Sequence, residues 1–362
     1  MSAAHINRIG TAVPRFDVHR KFLEFAPTLL PDERDRRLFR RMAERSGIEH
    51  RYSFFEPDAD PEAVDSGGFF RRGAFPDTAA RMRFYEEHAA DLAEAAVRAM
   101  GGAAAIGSAV RDVTHVIVTT CTGFHAPGID HAIVTRLGIA PSVERTVVGF
   151  MGCHAAISAL KLARHVVRSE PASRVLVLSL ELCTLHLQET GALEQVLSFL
   201  IFGDGCSACL VSAEPEGIAL ESFRAEVIPA SAEDITWRIG GQGFDMHLAG
   251  TVPRTLADGL PAALPAVLGG RGPGDVELWA VHPGGRSVLD AVERAAGLEA
   301  DRLADSRAVL RDYGNMSSPS VVFVLARMLD RFRSTGIGGN GLGCALAFGP
   351  GLTAEGMLFR MA

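Results

Sequence analysis

The sequence of 362 residues contains almost no lysine. Only Lys21 and Lys161 occur, so arginine supplies the other 34 of the 36 basic residues. Acidic residues number 43, which leaves a formal net charge of −7 at pH 7. A surface with this charge balance has no general attraction for nucleic acid or for anionic lipid, and we expect neither as a partner.

Long apolar runs are also missing. Runs such as Val175–Leu178 and Phe199–Phe202 are far shorter than the roughly 18 residues that a membrane-spanning helix needs. The N-terminal residues 1–8 lack the apolar core of a secretory signal peptide. We therefore expect no membrane association and predict a cytoplasmic protein.

The cysteines show no pattern of a metal site. Of the six, only Cys206 and Cys209 are close in sequence. A structural zinc site takes four ligands, and no second Cys/His pair stands at a suitable spacing. We predict no metal, and we assign this pair to a buried strand that follows a glycine turn.

Apolar residues make up 48% and charged residues 22% of the chain, which is typical of a globular protein with one or two domains at this length. Short apolar segments alternate with amphipathic ones, and this alternation predicts an α/β fold. The predicted strands are 113–120, 145–150, 174–180, 207–212, 276–281 and 343–348. The predicted helices are 77–100, with Asp77 as N-cap, 154–167 and 317–329. Residues 58–75 lack periodicity and are interpreted as a surface loop or lid.

Two segments of the sequence resemble each other. Gly203-Asp-Gly205 and Gly339-Asn-Gly341 each precede an apolar strand, and each lies downstream of a helix that begins beside a glycine. This weak repeat predicts a duplicated α/β unit, with one half at residues 1–217 and the other at residues 218–362.

Three residues are candidates for a catalytic site. Cys153 opens a predicted helix, whose dipole favours the thiolate. His282 ends a predicted strand, at the kind of position where ligands bind in α/β sheets, and Asn315 precedes a buried helix. Each has a plainer interpretation, namely a packed thiol, a histidine held in a turn and a helix N-cap. Together, a thiol, an imidazole and an amide donor suit acyl transfer through a thioester.

The segments around these residues carry a resemblance to a known family. They are Gly149-Phe-Met-Gly-Cys-His-Ala-Ala156, Phe202-Gly-Asp-Gly205, Ala280-Val-His-Pro-Gly-Gly285, Tyr313-Gly-Asn-Met-Ser-Ser318 and Ala347-Phe-Gly-Pro-Gly-Leu-Thr353. In order and spacing they cover the chain from about residue 34 to its end. The sequence resembles the type III polyketide synthases of bacterial type, chalcone-synthase-like members of the thiolase-fold condensing enzymes. The resemblance implies a thiolase-like fold, with two duplicated α/β halves in a layered αβαβα arrangement.

The resemblance also implies a reaction. Cys153 would carry the acyl group of an acyl-CoA starter, and His282 and Asn315 would bind the thioester oxygen while malonyl-CoA loses CO2. His282 would further hold the Cys153 thiolate as an ion pair. Decarboxylative Claisen condensation would extend the chain, which would cyclise to a pyrone, resorcinol, phloroglucinol or naphthalene-type product. No metal, flavin or nicotinamide cofactor is implied, and no P-loop or dinucleotide fingerprint occurs.

Further positions match the substrate-binding residues of the family. Phe202 matches a gatekeeper phenylalanine beside the nucleophile, and the second gatekeeper position falls on Met246, with Phe244 close by. Plain packing is nearly as good an explanation for the remaining positions that we expect to line the cavity. These are Phe124, His125, Cys183, His186 and Ser317.

Arg41 and Arg45 match two basic residues that bind the phosphates of CoA in the family, a role that suits arginine because it donates bidentately. The third basic position falls on Leu38, and a solvated helix face is the alternative explanation of the arginines. Family members are homodimers, so we expect a homodimer. The family's methionine that reaches the partner's cavity is replaced here by Ala126, so the resemblance does not extend to that contact.

Three alternatives fit the same catalytic residues. A ketoacyl synthase III-like enzyme would condense once on an acyl carrier protein, but its histidine and asparagine segments read closer to HQAN and GNTS. A cysteine hydrolase would cleave the thioester without any condensation. A non-catalytic interaction protein could share the fold, but the presence of Cys153, His282 and Asn315 argues against this alternative.

Overall fold

The computed structural model describes residues 3–101, 110–336 and 341–362. The strands in these residues are β1 (His5–Ala12), β2 (Phe16–Asp17), β3 (Tyr52–Ser53), β4 (His115–Thr120), β5 (Glu144–Gly149), β6 (Val175–Leu182), β7 (Asp204–Ser212), β8 (Ile218–Val227), β9 (Ile235–Gly240), β10 (Gly243–Leu248), β11 (Leu278–Val281), β12 (Gly343–Gly349) and β13 (Thr353–Met361). The α-helices are α1 (His19–Leu29), α2 (Glu33–Arg45), α3 (Thr78–Ala99), α4 (Ile129–Leu137), α5 (Ala155–Ser169), α6 (Leu193–Ile201), α7 (Val252–Val267), α8 (Arg286–Ala296), α9 (Ala304–Tyr313) and α10 (Ser320–Thr335).

The large sheet has nine strands in the order β11-β12-β13-β8-β1-β7-β6-β4-β5. Residues of the first half of the chain supply β5, β4, β6, β7 and β1, and residues of the second half supply the other four. The two sets join only through a short pairing of β1 with β8, at His5 with Ala219 and Ile6 with Ile218. Because β4, β5 and β6 are parallel, the segments that follow them leave the sheet at one edge.

Three apolar cores separate the layers. The first core packs α1, α3 and α4 against β4, β6 and β7, and the third packs α7 and α8 against β11, β12 and β13. The middle core places α5 and α10 between the two sets of strands. Strand β6 illustrates how one strand separates two cores. Leu176 and Leu178 face the first core, while Val175 and Val177 face the middle core. The expected αβαβα layering is therefore confirmed.

The elements predicted from apolar periodicity are confirmed, with shifted ends. All six predicted strands are present, Cys206 and Cys209 both lie buried on β7, and the side chain of Asp77 caps α3 by accepting from the backbone N–H of Ala80. The predicted start of the last helix at Ser317 is wrong. That residue has a φ of 59°, and α10 begins at Ser320 with Pro319 as N-cap. Asn315 is therefore not an N-cap. The repeated turn at 339–341 lies in part outside the described residues.

The segment 58–75 is an irregular and mostly exposed surface loop, as predicted, and a few of its side chains anchor it to the first core. Val64 and Phe70 are buried in the first core. The carboxylate of Asp65, which is 2% exposed, accepts from the backbone N–H groups of Phe69 and Phe70 at 3.0 and 2.7 Å. These contacts anchor the segment. In the described parts of the chain, no helix is both long and apolar enough to cross a membrane.

Candidate active site

A sharp turn presents Cys153 between β5 and α5. Cys153 lies in a single 3-10 turn, Gly152–His154. Phe150 and Gly152 have φ values of 59° and 68°, which are unfavourable for most side chains. A Cβ atom on Gly152 would lie 2.4 Å from Cδ of Pro350, so position 152 requires glycine for both reasons. Because Pro350 follows β12, the turn that carries the thiol lies against the second half of the molecule.

Asn315 reaches the nucleophile from the second half. It pairs with Phe202 in an isolated bridge. Its Oδ1 accepts from the backbone N–H of Ser317 at 2.8 Å, and its Nδ2 donates to the carbonyl of Gly284 at 3.3 Å. Hydrogen bonding from the side chains of Ser317 and Asn315 acts to lower the pKa of the Cys153 thiol, against the larger effect of burial, which raises it. The amide of Asn315 is thus held from two sides and lies near the thiol.

His282 follows β11 and is 1% exposed. Neither of its ring nitrogens has a partner within the described residues. Gly284, whose carbonyl binds Asn315, lies two residues further along the chain, so the imidazole and the amide belong to one connected unit. Buried polar atoms normally have hydrogen-bond partners, so these unpartnered nitrogens indicate a place for a polar atom of a ligand.

Burial controls the charge of the nucleophile and of the imidazole. It raises the pKa of Cys153 to about 11, although hydrogen bonds from Ser317 and Asn315 act in the opposite direction. It lowers the pKa of His282 to about 3, with a smaller contribution from the nearby charge of His154. Burial therefore opposes the thiolate that the helix N-terminus is expected to favour. A thiolate in this cavity needs a positive partner.

Glu181 is a residue of the site that sequence reasoning missed. One oxygen of its carboxylate accepts from Oγ of Ser318 at 2.7 Å. The other accepts from the backbone N–H of Cys121 at 2.9 Å and from Oγ1 of Thr122 at 2.8 Å. Burial raises the pKa of Glu181 to about 7. A single carboxylate in the otherwise apolar run 175–182 is the signal that could have identified it.

The thiol opens into a mostly apolar cavity. Residues expected to line it that do so are Cys153, Cys183, His186, Phe202, Met246 and Ser317. Residues that sequence reasoning missed here include Phe199, Ile235, Trp237 and Pro350. Phe124 does not line the cavity and is 40% exposed, and His125 lies half-buried against Tyr85.

His186 is a fixed, neutral wall of this cavity. Its Nε2 donates to the carbonyl of Thr122 at 2.7 Å, and its Nδ1 accepts from the backbone N–H of Phe244 at 3.0 Å. The ring of Phe244 stacks on the imidazole with centroids 4.2 Å apart. Burial lowers the pKa of His186 to about 3. Phe244 therefore supports the wall from behind, while Met246 faces the cavity.

A wider cleft of about 1500 Å³ lies beside this region. It is bordered by α2, α6, the start of α7 and the first turn of α8. Arg45 and Arg286 line it, together with Gly284 of the segment after His282. Arg41 is exposed and lies outside the cleft. The structure thus separates two arginines that the sequence placed in one role.

Comparison with known proteins gives one family for the whole chain. Residues 2–215 match the family model described as chalcone and stilbene synthases, N-terminal domain, and residues 219–362 match the C-terminal domain of the same family.

Two curated relatives illustrate the sequence similarity. The alpha-pyrone synthesis polyketide synthase-like protein Pks18 of Mycobacterium tuberculosis is 35% identical over 289 residues, which is 77% of this chain and 72% of that protein. Bisdemethoxycurcumin synthase of Oryza sativa is 34% identical over 341 residues, which is 89% of this chain and 82% of that protein.

Solved structures show the same fold. The crystal structure of PKS-I from the brown alga Ectocarpus siliculosus aligns with a TM-score of 0.88 and 29% identity, covering 100% of this chain and 99% of that one. The type III polyketide synthase domain of Steely1 from Dictyostelium aligns with a TM-score of 0.86 at 24% identity, covering 99% of each chain.

Replacing His282 tests whether the imidazole lowers the pKa of the thiol. Burial raises the pKa of the Cys153 thiol to about 11, and an imidazolium at His282 is the cation expected to lower it. In His282→Ala the thiolate fraction should therefore remain small at neutral pH and rise about tenfold per pH unit. The rate of Cys153 alkylation by iodoacetamide, followed by intact-protein mass spectrometry across pH, should be lower than in the wild type through the neutral range.

His165→Ala, on the exposed face of α5, is the matched control and should retain the wild-type profile. Identical alkylation profiles for the wild type and His282→Ala would show that the imidazole does not hold the thiolate.

Proposed function

Since the chain belongs to the chalcone and stilbene synthase family and is a type III polyketide synthase, we propose that Cys153 carries the growing acyl chain and that His282 and Asn315 bind the thioester oxygen. One observation carries this proposal. Hydrogen bonding from Asn315 acts to lower the pKa of the half-buried Cys153 thiol, and Asn315 is tied through Gly284 to His282, whose ring nitrogens have no partner among the described residues.

The loading step moves an acyl group from CoA to the enzyme. The proton of the Cys153 thiol passes to His282, and the thiolate attacks the thioester carbonyl of the starter. The bond between that carbonyl and the CoA sulfur breaks, and the CoA thiolate takes the proton back from His282. The thiolate and the imidazolium are stable only as a pair, because burial disfavours each charge on its own.

The extension step forms the carbon–carbon bond. Malonyl-CoA loses CO2, and the electron pair of the broken bond becomes an enolate whose oxygen accepts hydrogen bonds from His282 and Asn315. The enolate carbon attacks the acyl group on Cys153, and the sulfur leaves as a thiolate. Hydrogen-bond donors that are already fixed in a buried site stabilise the negative charge on the enolate oxygen, because they do not have to reorient when it forms. These steps need no cofactor, because thioester chemistry supplies every electron pair.

The relatives support one product class more than the others. Of the products that the sequence implies, an alpha-pyrone has the most support, because the mycobacterial relative at 35% identity is described by alpha-pyrone synthesis. The side chains that line the cavity around the thiol would surround the chain during extension and cyclisation.

The wider cleft is the proposed entrance for CoA. Arg45 lines it and Arg41 does not, so we assign phosphate binding to Arg45 and a solvated position to Arg41. Arg286, at the start of α8, stands beside Arg45 and donates to its carbonyl at 3.4 Å. The positive N-terminus of α8 would add to the attraction for phosphate.

A homodimer is the proposed assembly. β5 is an edge strand of the large sheet, and apolar side chains around it are exposed, with Val147 at 49% and Met151 at 39%. An exposed apolar edge strand is a ready surface for pairing with a second copy.

We further propose a cytoplasmic location and a division of the chain at residues 217 and 218. Free thiols persist in reducing compartments, and the six cysteines are unpaired. The two family models end at residue 215 and begin at residue 219, which supports the division.

Single substitutions should affect acylation and decarboxylation differently. Cys153→Ala should abolish covalent acylation and condensation but keep conversion of malonyl-CoA to acetyl-CoA, because decarboxylation needs only the donors. Asn315→Ala should lower decarboxylation by about 100- to 1000-fold, as expected for loss of one oriented donor. Both are measured by mass spectrometry of CoA thioesters and of the intact protein. A condensed product from Cys153→Ala, or wild-type decarboxylation by Asn315→Ala, would contradict the assignment.

Substitution of Arg41 is the control for substitution of Arg45. Arg45→Ala should raise the KM for malonyl-CoA by up to about fivefold, the range for exposed ion pairs, while Arg41→Ala should not change it. The effect of Arg45→Ala should disappear with malonyl-pantetheine, which lacks the nucleotide phosphates. Equal effects of the two substitutions would remove Arg45 from the phosphate site.

The dimer surface can be tested at a single residue. Val147→Asp should raise the dimer dissociation constant at least about tenfold, since burial of one valine contributes about 1.5–3 kcal/mol. Val227→Asp, also at a highly exposed valine (63% exposed), should leave the assembly unchanged. Sedimentation velocity over a range of concentrations measures both, and an unchanged dimer in Val147→Asp would place the interface elsewhere.

A further inference from the structure

Helix α2 exposes a row of unpaired arginines. Four of its arginines recur at three- or four-residue spacing and therefore share one face of the helix, and they are Arg34, Arg37, Arg41 and Arg45. All four side chains are exposed, and none of them has an ion-pair or hydrogen-bond partner among the described residues. Arg36 and Arg40, on the other side of the helix, pair with Glu33 at 3.8 and 3.3 Å. The helix thus presents four positive charges without a partner on one surface.

Two exposed apolar residues lie beside these arginines. Leu38 and Met42 are 40% and 45% exposed, and they stand one helical turn apart. The buried side of the helix is held by Phe39, which is 1% exposed and whose ring centroid lies 6.1 Å from that of Phe22. Core packing therefore does not use Leu38 and Met42. Exposed apolar side chains that are rimmed by charge are typical of protein–protein interfaces, in which methionine and arginine are enriched.

These six residues form one surface, the arginine face of α2, which comprises Arg34, Arg37, Leu38, Arg41, Met42 and Arg45. The face runs into the wide cleft, because Met42 and Arg45 line that cleft and the other four residues do not. The cleft also reaches Gly284, whose carbonyl accepts from Asn315. At a rise of 1.5 Å per residue the face is about 16 Å long. A phosphate of CoA at Arg45 would leave most of this length unused, so the face fits a larger ligand.

We propose that the arginine face of α2 docks an acidic carrier protein, which delivers an acyl group, as a thioester on a flexible pantetheine arm, through the wide cleft to Cys153. Acidic side chains of the carrier would meet the four unpaired arginines, and apolar side chains would contact Leu38 and Met42. Because CoA also presents its acyl group on a pantetheine thiol, the same cleft serves both donors. This inference rests on the proposed function, because Cys153 has to accept acyl groups.

Transfer from the carrier needs no further reactant. The Cys153 sulfur forms a bond to the acyl carbonyl carbon, and the bond between that carbon and the pantetheine sulfur breaks. The proton of the Cys153 thiol ends on the released pantetheine thiol. One thioester replaces another, so no oxidant or reductant takes part.

An anionic membrane fits this face less well than an acidic protein does. A helix that lies in a membrane interface needs a wide apolar face, and the arginine face of α2 has only Leu38 and Met42. The chain as a whole carries a net charge of −7, which opposes its approach to an anionic bilayer. A small acidic protein can instead contact the positive face alone.

The test compares three donors of the same acyl group. Acylation of Cys153 by hexanoyl-pantetheine, by hexanoyl-CoA and by a hexanoyl group on an acidic bacterial acyl carrier protein is followed by intact-protein mass spectrometry in single turnovers. At equal donor concentration and low salt, the wild type should load from the carrier at least about tenfold faster than from hexanoyl-pantetheine, because electrostatic steering raises association rates by this factor or more. This advantage should shrink as salt is added, because the charges at the interface are then screened.

Substitutions outside the cleft test the surface itself. The double variant Arg37→Gln/Arg41→Gln should lower loading from the carrier by about 5- to 25-fold, since each exposed ion pair contributes up to about fivefold. Loading from hexanoyl-pantetheine should not change, and this reaction also shows that the variant is folded. The double variant Arg83→Gln/Arg294→Gln removes the same charge at two other exposed arginines outside the cleft. It is the matched control and should load from all three donors as the wild type does.

Two results would overturn the inference. One is a wild type that loads from the carrier no faster than from hexanoyl-pantetheine. The other is an Arg37→Gln/Arg41→Gln variant that keeps the wild-type rate of loading from the carrier, and if this variant also lost co-sedimentation with phosphatidylglycerol vesicles, the face would belong to a membrane contact. Failure of the proposed function looks different, since Cys153 would then accept no acyl group from any of the three donors.

Discussion

The carboxylate of Glu181 joins the two halves of the molecule beside the nucleophile. It accepts hydrogen bonds from Cys121 and Thr122 in the first half and from Ser318 in the second. Burial raises its pKa to about 7, while these donors favour the ionised form. Loss of one donor would leave the buried carboxylate short of a hydrogen bond, which would destabilise the fold. The segments that carry Cys121, Thr122 and Ser318 therefore have to keep their relative positions. Ser318 lies three residues after Asn315, and the catalytic amide is therefore fixed by the same constraint.

The low polarity of the site explains how one cavity serves two reactions. Burial raises the pKa of Cys153 to about 11 and lowers that of His282 to about 3, so neither group is charged without the other. The same burial strengthens the attraction between a transient enolate and donors already in place. The enolate charge develops as CO2 leaves, and the thiolate charge develops as a proton moves from sulfur to imidazole.

The sequence predicted the parts of this site that lie in contiguous motifs. Cys153, His282 and Asn315 each stand in a segment with recognisable neighbours, and strands such as β6 are apolar on both faces. Strands β8 and β13 were missed because one contains Glu221 and Arg224 and the other a glycine, so neither shows a clear period. Ile235 and Trp237 were missed because a hairpin brings them to the cavity from a distant part of the chain. Phe124 was placed wrongly, since a match in sequence does not say which way a side chain leaves a turn.

The most direct test of the account is the reaction of the purified wild-type protein with malonyl-CoA and a panel of acyl-CoA starters, analysed by mass spectrometry. Decarboxylative condensation predicts malonyl-dependent products that are longer than each starter by whole two-carbon units, with one CO2 released per unit. Products formed only by hydrolysis of the starter thioester, with malonyl-CoA left unconsumed, would contradict it.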